Sequence, residues 1–135
     1  MSGNPINISG ENLEREVKHF LNGTKLPYKK SPKGKNGDID FIVYDGNKSM
    51  YIECHNQNGK GSVDEKIPHK IWKYWNKYKM GEIWVVKGKH NRFGKGIVEH
   101  LEWMSKECNI SINLVTLDEL KSVLNKCKIK QNPFF

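Results

Sequence analysis

Asp40, Glu53 and His55 are the residues of this chain whose types and spacing can do chemistry together; they lie in GDIDFIVYDGNKSMYIECH. Asp45-Gly46-Asn47-Lys48 is a turn signal between two β-prone runs, and Gly46-Asn47 fits a two-residue turn with glycine first. Pairing outward sets Asp45 against Lys48, Val43 against Met50, Phe41 against Ile52 and Ile39 against Cys54. The last three pairs share one wholly apolar face, which supports the register. The other face carries Ile42 against Tyr51, then Asp40 against Glu53, then Asp38 against His55. Like charges set opposite each other are unfavourable, and a divalent cation between them removes the cost. Oxygen ligands that leave room for water suit Mg²⁺. Mg²⁺ in such a place can hold a phosphate oxygen and lower the pKa of a water for in-line attack. His55 projects from the face of Glu53, and Gln57 follows if the strand continues. The plainer alternative is a solvated acidic pair with Lys66 or Lys70 as its partner.

Helices and further strands must hold that hairpin. In SGENLEREVKHFLNG, Leu13, Val17, Phe20 and Leu21 recur at helical spacing. Ser9 suits the cap, Glu11 the N-terminal dipole and Gly23 the stop. TKLPYKKSPKGKNG reads as a basic loop with a short strand near Leu26 to Lys29. SVDEKIPHKIWKYWNKYK is mostly helix, with Ser62 and Glu65 as a capping box and Ile67, Ile71, Tyr74, Trp75 and Tyr78 as its stripe. Pro68 either kinks that helix or marks a second start. GEIWVVKGK is a strand, KHNRFGKG a basic loop, and Ile97, Leu101 and Met104 mark a helix. ISINLVTL is a strand, and TLDELKSVLNKC a helix with Thr116 and Glu119 as a second capping box. The tail KIKQNPFF reads as loose. This order implies an α/β fold, a mixed β-sheet flanked by helices on both faces. One domain over 1–135 is expected, its core running from about 9 to 127.

The chain has 135 residues, enough for a single modest core. Its 36% of hydrophobic residues, clearly periodic, argues against disorder. No apolar run approaches the roughly 18 residues of a membrane span. MSGNPINISGEN lacks the charged and apolar regions of a signal peptide. Cys54, Cys108 and Cys127 are odd in number and far apart, which suits a reducing cytoplasm and offers no zinc spacing or disulfide framework. A net charge of +8 points to a polyanionic partner.

At the hairpin the chain resembles the PD-(D/E)XK nuclease superfamily, the restriction-endonuclease-like fold. That superfamily has an acid at the start of one core strand and Glu/Asp-x-Lys on the next; here stand Asp40 and Glu53-Cys54-His55. LEREV looks like its helix-borne glutamate, with Glu14 preferred and Glu11 or Glu16 as alternatives. The resemblance covers helix one through the strand at Ile83 to Val86. It implies Mg²⁺-dependent hydrolysis of DNA, with Mn²⁺ able to substitute, Asp40 and Glu53 as metal ligands, and Glu14 as a further ligand or water-orienting group. The departure is His55 where the family has lysine. Histidine titrates near neutral pH and can act as base, acid or ligand. Lys66 is then a candidate for the missing charge and Gln57 for orienting water or phosphate; a decayed site is the alternative.

Three basic stretches can surround the acidic face: Lys29, Lys30, Lys33 and Lys35; Lys60, Lys66, Lys70 and Lys73; and Lys87, Lys89, His90, Arg92 and Lys95. Lysines on phosphates give affinity without sequence information. Asn56, Gln57, Asn58, Asn91 and Arg92 are candidates for base edges. Tyr74, Trp75 and Tyr78 fall on a core stripe, whereas Trp72 lies beside it and suits a dimer interface. The expected activity is a restriction-type or mobile-element DNA endonuclease, the expected partners being DNA and a second copy in a homodimer. A structure-specific nuclease such as a Holliday junction resolvase, and a catalytically decayed DNA-binding module, are the alternatives.

Overall fold

Alternating apolar side chains build the centre of the molecule. The computed structural model describes residues 10–31, 38–46, 48–55, 66–87 and 93–131. Strands β2 (Phe41–Asp45) and β3 (Lys48–His55) pair antiparallel, with Asp45 opposite Lys48, Val43 opposite Met50 and Phe41 opposite Ile52, the register expected from the turn. Gly46 takes φ +65°, a conformation that glycine adopts without a Cβ penalty. Strand β1 (Tyr28–Lys30) adds to the other edge of β2, antiparallel. Strands β4 (Glu82–Lys87) and β5 (Ser111–Thr116) continue the sheet beyond β3 in parallel, giving the order β1-β2-β3-β4-β5.

Parallel neighbours need crossovers, and two helices supply them. Helix α2 (Lys66–Tyr78) joins β3 to β4, and α3 (Lys95–Cys108) joins β4 to β5. Their residues Ile67, Ile71, Tyr74, Leu101 and Met104 bury against Ile83 and Val85 on one sheet face. Helices α1 (Gly10–Thr24) and α4 (Leu117–Gln131) cover the other, packing Leu13, Val17, Leu21, Leu120 and Leu124 on Phe41, Val43, Met50 and Ile52. The result is the α/β restriction-endonuclease-like architecture, a mixed sheet between two helical layers.

Helix ends follow local chemistry. Both halves of the Thr116–Glu119 box form: the Thr116 N–H donates to Glu119 Oε1 at 2.8 Å and the Glu119 N–H to Thr116 Oγ1 at 3.2 Å. Pro68 sits in the first turn of α2, where its missing N–H has no helical acceptor to lose. Helix α1 does not stop at Gly23. It runs to Thr24, whose hydroxyl donates to the Leu21 carbonyl at 2.7 Å, and Lys25 takes the left-handed turn at φ +65°. Helix α4 runs on past Cys127 to Gln131, into the stretch expected to be loose. Ser9, Asn47, Ser62 and Glu65 lie outside the described residues.

One expectation fails where it matters most. Ile39 and Phe41 were expected on one face, with Ile39 across from Cys54. Phe41 packs with α1 and α4, but Ile39 packs with Ile67, Ile71 and Tyr74 on the opposite side. The chain bends at Asp40, and the β2–β3 ladder begins only at Phe41. The two-residue period therefore breaks at Asp40, and both apolar neighbours are buried, each in its own core.

Candidate active site

The bend frees the Asp40 carboxylate from a ladder position. Its Oδ2 accepts the Cys54 N–H at 2.8 Å, so the carboxylate caps the backbone between Glu53 and His55. The Asp40 carbonyl accepts the Ser31 N–H at 3.2 Å, and Ser31 Oγ donates to the Ile39 carbonyl. Asp40 is thus tied to β1 on one side and to β3 on the other. The side-chain opposition of Asp40 to Glu53, and of Asp38 to His55, is replaced by this cap and by a separate role for Asp38.

Glu53 is buried, at 7% exposure, and meets α2. The Tyr74 hydroxyl donates to Glu53 Oε1 at 3.0 Å and lies 3.3 Å from the Asp38 carbonyl oxygen. Lys70 Nζ lies 3.4 Å from Glu53 Oε2. The Asp38 carboxylate accepts from Lys77 and, at 3.5 Å, from the Tyr78 hydroxyl. Tyr74, which its spacing marks only as core, thus joins both sides of the hairpin mouth through its hydroxyl. A tyrosine on a buried stripe whose end must find a partner was the signal available. Tyr74→Phe is expected to keep the fold and lose about 1 to 2 kcal/mol of stability, because Glu53 then lacks a buried donor. Urea denaturation measures it, and an unchanged midpoint would remove Tyr74 from the site's support.

Burial and neighbouring carboxylates set the charge state of the acids. Burial, then the nearby Glu14, pushes Asp40 up to about 6 against the pull of the Cys54 N–H, Lys30 and Lys70. Burial, then Asp40, pushes Glu53 up to about 8 against Lys70 and Tyr74. Burial and Glu53 raise the Tyr74 hydroxyl, and burial raises the Cys54 thiol. Two carboxylates that repel in a half-dry pocket fit a hard divalent cation. Among the described residues no three His, Cys, Asp or Glu side chains gather as a metal cluster.

The remaining candidates divide by position. Glu14, from α1, comes close enough to Asp40 to raise its pKa, but its Oε1 is held by Lys30 Nζ at 2.8 Å. Glu16 is exposed on α1, and the Glu11 side chain lies outside the described ones. His55 is buried, at 6% exposure, with its ring stacked on Phe93 at 6.1 Å between centroids. It is not the surface residue that a strand end suggests. Lys66 is exposed at the start of α2, whereas Lys70, one turn on, is the lysine that reaches Glu53. Lys70 therefore moves from the basic surface into the site. Gln57, Lys33, Lys35, Lys60, Lys89 and Arg92 lie outside the described residues, as do Asn56, Asn58 and Asn91.

A search of curated proteins finds no match to this chain. No helix among the described residues is long and apolar enough to cross a membrane. A family model for a PD-(D/E)XK nuclease superfamily domain matches residues 6–128, which takes in all four helices but the end of α4, all five strands and the whole Asp40–Glu53 site. With an acid at the bend, a second on the neighbouring strand and a sheet of the right kind beneath them, the chain belongs to the PD-(D/E)XK nuclease superfamily.

Proposed function

We propose that this nuclease domain is a Mg²⁺-dependent endonuclease that hydrolyses DNA, with Mn²⁺ able to substitute. The observation that carries the reading is the Asp40–Glu53 pair, a half-buried and a buried acid whose pKa values are both raised, Glu53 in part by Asp40, at the mouth of a hairpin in a basic protein. A divalent cation bound by these carboxylates supplies positive charge to a phosphodiester and acidifies a water. In the hydrolysis the water oxygen forms a new bond to phosphorus, the bond to the leaving sugar oxygen breaks, and that oxygen takes up a proton as the water loses one. Glu14 stands behind Asp40 as an orienting group, and His55 and Gln57 are the proton-handling and water-orienting groups of this reading.

The surface supports a polyanion. Helix α2 carries Lys66, Lys70, Lys73 and Lys77 with no acidic residue along its length. Lysines on phosphates would position the strand, with Lys33, Lys35, Lys60, Lys89 and Arg92 extending the path. Trp72 and Trp103 are 51% and 59% exposed on α2 and α3, two large apolar groups that suit the contact of a homodimer. The free thiols of Cys54, Cys108 and Cys127 agree with a cytoplasmic enzyme.

The restriction-type or mobile-element reading is tested with supercoiled plasmid in Mg²⁺, Mn²⁺ and EDTA. Nicking or linearisation in either metal, absent with EDTA, is the expected result. A linear duplex left intact while a four-way junction is cut would transfer the reading to a junction resolvase. Salt-sensitive binding without cleavage of any substrate would make the domain a decayed binding module.

A further inference from the structure

Position 55 holds histidine where the superfamily motif has lysine, and its ring is buried and stacks on Phe93. Histidine does not carry the fixed charge of lysine, so a permanent cation at the site has to come from another residue. Among the described lysines, Lys70 alone has its ammonium recorded on Glu53, at 3.4 Å from Oε2. Three other lysines near the hairpin are engaged with other acids, Lys30 with Glu14 at 2.8 Å, Lys77 with Asp38 and Lys48 with Glu82 at 3.0 Å, and Lys87, beside His55 in the ladder, has its ammonium over the Phe93 ring. Lys30 acts on Asp40 from the α1 side of the sheet, over the Phe41 ring, whereas Glu53 is met by Tyr74 and Lys70 from α2.

We infer that Lys70 is the catalytic lysine of this domain, delivered from helix α2 instead of from strand β3. The inference rests on the proposed nuclease reading. Three observations join here. The Lys70 side chain is 45% exposed while Glu53 is at 9%, so the ammonium stands at the boundary between the buried acid and the solvent from which a phosphodiester arrives. The long stem of lysine turns its charge toward a phosphate without breaking the helix. The helix is held in place at the next turn by the Tyr74 hydroxyl on Glu53, which fixes where the stem begins. An ammonium there stabilises the charge that grows on the phosphoryl oxygens as water adds, an interaction stronger in the transition state than in the ground state. In this reading the histidine in the motif marks a lysine moved to another element, and the site is complete.

The test uses the full chain with Lys70→Ala, Lys70→Arg and Asp40→Asn, on whichever plasmid or junction the unmodified protein cleaves. Lys70→Ala is expected to lose about 10²- to 10³-fold in the single-turnover cleavage rate. Its Mn²⁺ affinity, read by calorimetry, should stay within a few-fold. Ethylammonium at millimolar concentration should restore part of the rate to Lys70→Ala and none to Asp40→Asn. Lys70→Arg should keep more activity than Lys70→Ala. Circular dichroism controls for folding. Unchanged cleavage by Lys70→Ala, with Asp40→Asn inactive, would overturn the role of Lys70 and leave the nuclease reading standing. Loss of activity in Lys70→Ala with equal loss of Mn²⁺ binding and no amine rescue would reduce Lys70 to a support for Glu53. No cleavage by the unmodified protein on any substrate would overturn both.

Discussion

Glu53→Gln is expected to abolish cleavage and, in the same protein, to raise the melting temperature in EDTA at pH 8 to 9. The first effect follows from removing one of the two proposed anionic ligands and should reach about 10²- to 10³-fold. The second follows from the charge state of the metal-free site. Glu53 holds its proton to about pH 8 in the fold, because burial and Asp40 disfavour the anion. In the unfolded chain it loses that proton in the ordinary range near 4.3. Between those values the folded state binds more protons than the unfolded one, so stability falls as pH rises. Its contribution is full below about pH 4.5 and gone above about pH 8. Glutamine is neutral throughout and spares the fold that cost, about 1 to 3 kcal/mol at pH 8 to 9. The gain appears as several degrees in thermal scans and shrinks toward pH 5. A variant that melts below the unmodified protein at pH 9 would show that Glu53 is a structural ion pair with Lys70 first.

Metal binding is expected to release protons, and its affinity to climb with pH. At pH 7 Glu53 is mostly protonated and Asp40 mostly ionised, given values of about 8 and about 6. A cation that takes both carboxylates as anions must displace about one proton at pH 7, more at pH 6 and almost none at pH 9. Mg²⁺ affinity should therefore rise nearly tenfold per pH unit from about 6.5 to 7.5 and level off near 9. Calorimetry in two buffers of different ionisation enthalpy counts the protons directly. A count near zero at pH 7 would mean that the acids are already anions in the free protein. Chelation of bound metal should then lower the melting temperature most at high pH, where the empty pair carries both charges.

Much of this was legible before any coordinates. The hairpin register followed from one turn and from the apolar pairs Val43–Met50 and Phe41–Ile52, which share one face. The helices followed from stripes such as Leu13, Val17 and Leu21. What escaped was anything decided by a neighbour distant in sequence. The face switch between Ile39 and Phe41 needs two cores that both demand a residue, and alternation along one strand contains no sign of it. Tyr74 read as core because its ring is core; only its hydroxyl belongs to the site. The choice of Lys70 over Lys66 depends on the angle at which α2 lies on the sheet, and both lysines fall on the exposed side of the stripe.

The mixed sheet has a consequence for how the domain assembles and opens. From β1 to β3 it closes through antiparallel neighbours, and Asp40 meets the Cys54 N–H across a separation of 14 residues. Such local pairing is quick, and while the hairpin stands alone both acids remain in water, where their repulsion costs little. Helix α2 covers Glu53, bringing Tyr74 across 21 residues and Lys70 across 17, and its seat depends on the slower parallel pairing of β4. The strain of two buried acids is thus concentrated in the docking of one helix. Without a cation, the amides of α2 are therefore expected to exchange with solvent through a smaller opening than those of β2 and β3.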